Sequence, residues 1–206
     1  MAEYGGLNEI QLDAVKEIGN IGAGNACTAL SVLLGTMVDM DVPNVHVLDF
    51  DSTSQYLGGG NNPILGIQID VTDDLEGMMF HIVRKPFAER IINTFYEKHL
   101  EDLANLDEMD TSVLSEMANI TSGAYANSLA TLTNLFVNIG APIQHCATIG
   151  EVLKIPFESM VKPGEKILVI DEEFEIDEKK IHSNMLLVLE KNSLQKLFDR
   201  LGVKES

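Results

Sequence analysis

Two acid and amide pairs, Glu17 with Asn20 and Glu116 with Asn119, are the residues in this 206-residue chain whose types and spacing could act on a substrate as a unit. A carboxylate and an amide three places apart project side by side from a helix, so one can hold a cation while the other orients a water molecule. At about 100° per residue, Asp13, Glu17, Asn20 and Gly24 fall within roughly 60° of one another on the helical wheel. Val15, Ile18, Ala26 and Leu33 take the opposite side, where a core would lie.

The stripe occurs twice. Moved by 99 positions it reads Ser112, Glu116, Asn119 and Gly123, and the register holds through Pro43 and Pro142. Identities at that offset also include Glu9/Glu108, Ile21/Ile120, Leu30/Leu129, Val38/Val137 and His46/His145. A repeated core explains the apolar matches but not an outward Glu, Asn and Gly, since Gly inside a helix costs about 1 kcal/mol relative to Ala. Two copies of that cost point to a use, with Gly24 and Gly123 leaving room for another molecule to come close.

The elements that must carry these residues follow the same duplication. Asn8 with Gln11 reads as a capping box opening a helix from Glu9 to Leu34, and Gly35 closes it. A strand over 42–48, a helical turn over 51–56, a Gly-rich loop over 58–63 and strands over 64–72 and 77–83 come next. A helix over 85–96 ends the first copy. After an acidic link, 97–110, the order returns: a helix over 111–133, a strand within 136–147, a hairpin of 166–176 with 184–190, and a helix over 193–201. The expected architecture is α+β, a pseudo-twofold tandem repeat with an antiparallel β-sheet and flanking helices on one face. It would form a single domain over 1–206 made of two fused repeats, about 8–96 and 107–201, monomeric through its internal symmetry.

Charge and composition remove several function classes. Lys plus Arg number 14 against 32 Asp plus Glu, a formal charge of −18, which repels nucleic acid and anionic membrane surfaces alike. The amino terminus lacks the basic start and apolar run of a secretory signal, and the run 26–38 is too short to span a membrane, so a cytoplasmic protein is expected. Cys27 and Cys146 read as buried free thiols. His46, His81, His99, His145 and His182 show no ligand spacing, and the acidic run from Asp171 to Glu178 reads as a solvated hairpin, so no metal site is expected. Gly19, Gly22 and Gly24 run in the wrong order and context for a dinucleotide site.

Asp13, Glu17, Asn20 and Pro43, with Ser112, Glu116, Asn119 and Pro142, resemble the Asp/Ser-x₃-Glu-x₂-Asn-x₂₂-Pro pattern of the CheC family of chemotaxis phosphatases, which includes CheX and FliY relatives. The likeness covers nearly the whole chain. It implies hydrolysis of the aspartyl phosphate on the response regulator CheY, with Asn20 and Asn119 orienting the attacking water and Glu17 and Glu116 pairing with a lysine of the receiver. It further implies Mg²⁺ supplied by the receiver rather than bound by this chain, and the receptor deamidase CheD as a second partner. A non-catalytic adaptor that binds the receiver or CheD is the alternative. The segment from Thr148 to Leu153 is the candidate CheD surface.

Overall fold

The computed structural model describes residues 7–59, 63–161 and 167–203. Residues 60–62 of the loop expected over 58–63 and the first residue of the strand expected from 166 lie outside them. In the first copy, Asn8 caps α1 (Glu9–Leu34): its side chain accepts the Gln11 N–H at 2.9 Å, and Gln11 Oε1 accepts the Asn8 N–H at 2.9 Å. Gly35, at φ 63°, closes the helix in the left-handed region. Then follow β1 (Val38–Met40), β2 (Asn44–Leu48), α2 (Phe50–Tyr56), β3 (Pro63–Asp73), β4 (Gly77–Val83) and α3 (Lys85–Phe95).

The second copy repeats this as α4 (Glu108–Thr133), β5 (Val137–Ile139), β6 (Ile143–Thr148), α5 (Ile149–Ser159), β7 (Ile167–Ile176), β8 (Lys179–Leu189) and α6 (Lys191–Arg200). Helix α4 starts three residues before the expected Thr111, because Asp107 and Asp110 close their own capping box. Two short strands follow each long helix where one was expected, with Pro43 and Pro142 in the gaps between them; β1 lies wholly before the strand expected over 42–48. Asp177 and Glu178 both adopt positive φ, 49° and 61°, the conformation of a tight two-residue hairpin turn. Strand β8 therefore starts at Lys179, five residues earlier than expected.

All eight strands of the described residues join one antiparallel sheet in the order β1-β7-β8-β4-β3-β5, with β2 also on β7 and β6 also on β3. The copies thus exchange edges. Strands β1 and β2 of the first copy pair with β7 of the second, and β5 and β6 of the second pair with β3 of the first. The pseudo-twofold axis passes between β4 and β8, where Phe80 opposes Leu186. Helices α1, α3, α4 and α6 cover one face, where Leu30, Phe87, Ile91, Leu114, Leu129 and Phe198 are buried.

Helices also cover the other face, contrary to the one-sided packing expected. There α5 buries Ile149, Val152 and Leu153 against Phe80, Ile82 and Leu186. Half of the expected partner surface at 148–153 is therefore core, while Glu151 is exposed and Thr148 and Gly150 are partly so. Tyr56 of α2 is tied to the sheet through His46 at 2.9 Å and through Asp171, and Asp171 bonds Asn184, which accepts from Arg84 at 2.6 Å.

Candidate functional site

Helices α1 and α4 pack on each other where Gly22 meets Tyr125. A Cβ on Gly22 would fall 2.4 Å from the Tyr125 ring, so only glycine allows this crossing. A second bridge joins Asn25 Nδ2 to Ser128 Oγ at 3.1 Å. Gly22 and Asn25 sit at least about 80° around α1 from the stripe. The stripe consequently looks away from α4, and by the pseudo-twofold the second stripe looks away from α1.

On α1, Asp13, Glu17 and Gly24 are exposed and Asn20 is half-buried. The loop between β1 and β2 presses Pro43 against α1 one residue before Asn20, its Cγ 3.7 Å from where a Gly19 Cβ would lie. Proline fills that space with carbon and offers no N–H. Asn20 Oδ1 is buried and has no hydrogen-bond partner among the described residues. An orphaned acceptor of this kind costs about 1–3 kcal/mol, and no hydrogen bond to it holds the carboxamide in this orientation. Beside it runs a groove of about 800 Å³ between the second half of α1 and the β1–β2 edge, lined by Asn20, Gly24, Val32, Asp39, Val42 and Pro43 among others.

Gly24 opens onto this groove with nothing within 4 Å of where a Cβ would stand, so the space it was expected to clear is free for another molecule. On α4, Ser112 and Glu116 are exposed, while Asn119, Gly123 and Pro142 are half-buried. Gln144 of β6 braces this helix, its Nε2 donating to Thr111 O at 2.7 Å and to Ser115 Oγ at 2.8 Å. The structure therefore brings Asn20 and Gly24 together with Pro43 on one groove, and the two Glu and Asn sets stay on separate flanks. Asp13 forms a 3.5 Å ion pair with Lys16, exposed enough to contribute little. Among the described residues, no group of three His, Cys, Asp or Glu side chains is placed to hold a metal ion.

Beneath the helix pair lies a polar layer that the sequence pattern does not disclose. Glu172, expected in a solvated hairpin, is fully buried and accepts the Tyr125 hydroxyl at 2.9 Å. Burial pushes its carboxyl up to about 7, against the opposing effect of the tyrosine hydrogen bond. His81, equally buried, shares a 2.8 Å bond with Ser122 Oγ, and burial holds its pKa down at about 4. Cys27 is buried as expected, its thiol pushed up to about 11 by burial. Cys146 is not: it lies exposed on β6, a strand with no fully buried residue. The one available signal was the broken repeat, since Tyr125 stands where the first copy has Ala26.

The model of the CheC-like family matches residues 10–47 and 109–143, the two segments that hold the stripes and their prolines. The CheY-P phosphatase CheC of Bacillus subtilis is 32% identical over 207 residues, covering 98% of this chain and 99% of that protein. The flagellar motor switch phosphatase FliY of the same organism is 29% identical over 141 residues, which span 68% of this chain and 36% of FliY. Among solved structures, FliY of Thermotoga maritima superposes with a TM-score of 0.74 at 23% identity, covering 95% of this chain and 98% of that one.

Proposed function

Because the chain belongs to the CheC-like family, we propose that it hydrolyses the phosphorylated response regulator CheY, with each stripe serving as one active site. The observation that carries this reading is the placement of a half-buried Asn beside an exposed Glu on an outward helix face in each copy, Asn20 with Glu17 and Asn119 with Glu116.

The reaction suits such sparse machinery. Aspartyl phosphate hydrolysis passes through a loose transition state, so a helper protein has mainly to hold a water in line and leave the charge to the substrate's own cation. The stripe enters the receiver's active site, where the Asn20 or Asn119 carboxamide, its oxygen rotated outward to the receiver, accepts an O–H of the water and turns a lone pair toward phosphorus. The new P–O bond forms as the bond to the aspartyl oxygen breaks; the water's proton goes to the departing phosphate and the aspartate is left as a carboxylate. Glu17 or Glu116 pairs with a lysine of the receiver and fixes the helix in register. Mg²⁺ enters with the receiver, held by that protein's carboxylates, and CheD is a further partner in this reading.

The test is the double variant N20A/N119A. Losing a positioned polar group typically lowers rate by ~10²–10³, so stimulated CheY-P hydrolysis should fall to the spontaneous rate while each single variant keeps the other site's activity. Full activity in a folded double variant would refute the assignment. Loss of activity with CheY binding lost as well would favour an adaptor face over a catalytic one.

A further inference from the structure

We infer that the groove beside Asn20 seats an apolar side chain of the phosphorylated receiver and makes the first site the tighter of the two. This rests on the phosphatase reading above. The groove begins at Asn20 itself, so a receiver docked on the amide must cover it. Its rim carries Val32 and Val42, 81% and 75% exposed, two branched apolar side chains held in water at no gain to the fold. Gly24 keeps its floor open.

The duplication supplies an internal control. At the same offset of 99, the second copy replaces Val32 with Thr131 and Val42 with Ala141, both exposed. The carboxylates of the first groove, Asp39 and Asp41, become Asn138 and Gly140. Asp41 shares Lys180 at 2.8 Å, whereas Asp39 points its charge to solvent and bonds the Met40 N–H at 2.8 Å. The first groove thus offers apolar contact flanked by negative charge, which fits a receiver surface presenting an apolar side chain beside a basic one. The second site keeps the Glu and Asn but lacks both valines and both carboxylates, its own exposed apolar side chains there being Leu132 and Ile143, 37% and 48% exposed. Burying such side chains at the edge of an interface changes affinity rather than the rate of the bound complex.

The experiment isolates each site in the full-length protein. N119A leaves the first site working and N20A the second, and each is titrated with CheY-P. The half-saturating concentration should be about tenfold lower for N119A than for N20A. Adding V32T/V42A to N119A should raise it to the level of N20A with the maximal rate within about twofold, while adding T131V/A141V to N20A should lower it. That gain of affinity guards against a variant that simply misfolds. Adding D39N to N119A should flatten the dependence of half-saturation on ionic strength. Equal half-saturation at the two sites, or a gap that neither valine exchange moves, would overturn the inference while leaving the phosphatase reading intact. Activity surviving in N20A/N119A would instead remove the reading on which it stands.

Discussion

Replacing Glu172 by Gln probes the two titrating groups buried beneath the crossing helices, and their signs oppose. Glu172 is raised from 4.5 to about 7 by burial, so the folded protein binds the extra proton and stability is lost as pH rises through that window. His81 is lowered from 6.5 to about 4, so it is the unfolded chain that binds the extra proton, and stability is lost as pH falls from 6.5. Each contributes about 1.4 kcal/mol per pH unit where it titrates. Between about pH 4.5 and 6.5 the two slopes nearly cancel, and the protein as it stands should show a flat stability profile there.

In E172Q the amide still accepts from Tyr125 but no longer titrates. The variant should be more stable than the parent by about 3 kcal/mol at pH 8 and roughly equal to it near pH 4.5. Its own profile should tilt, losing about 3 kcal/mol between pH 6.5 and 4.5 as His81 acts alone. Urea unfolding at several pH values, followed by circular dichroism, measures this through the midpoint at constant m. A stability difference between the two proteins that does not vary with pH would refute the reasoning, because it would mean that Glu172 does not carry a proton in the fold.

Gly22→Ala should cost about 1–3 kcal/mol, since its Cβ would meet the Tyr125 ring at 2.4 Å, and pairing it with Tyr125→Leu should recover part of that loss in thermal unfolding. Glu17→Ala with Glu116→Ala should raise the half-saturating concentration of CheY-P more than it lowers the maximal rate, an effect that shrinks at high salt; an unchanged half-saturation would count against the lysine pairing. Calorimetric titration of the free protein with Mg²⁺ should show no stoichiometric binding, while chelation should stop hydrolysis in the presence of CheY-P and added Mg²⁺ should restore it. Binding by the isolated chain at Glu17 or Glu116 would mean that the stripe is a metal site.

Much of the architecture was legible because the sequence states it twice. Asn8 with Gln11, the glycine at 35 and the 99-residue offset located both long helices, and the helical wheel alone placed Glu17, Asn20, Glu116 and Asn119 on outward faces. What escaped depends on contacts between the copies. Glu172 sits in a run of acidic residues that looks solvated, and only the approach of Tyr125 across the Gly22 crossing buries it. Segment 148–153 lacked a strand pattern because it is a helix, capped by Thr148 and Glu151, whose apolar residues face a second side of the sheet that the hairpin pattern did not disclose. Cys146 escapes because β6 is an edge strand with no fully buried residue, so a cysteine there gains no core position.

The exchange of edge strands means that neither repeat contains its own complete sheet. A chain cut in the link near the exposed Ala104 and Asn105 should yield halves that fail separately, each with an unpaired β3 or β7 edge, yet rebuild the fold when mixed. A single ancestral repeat would by the same geometry have been an intertwined homodimer, in which every substitution appears on both sides of the axis. In the present chain that association is intramolecular, with a high effective concentration, and the two halves need not be identical. The Tyr125 and Glu172 pair, with Ala26 at the matching place in the other half, is a divergence that only the fused chain could accumulate.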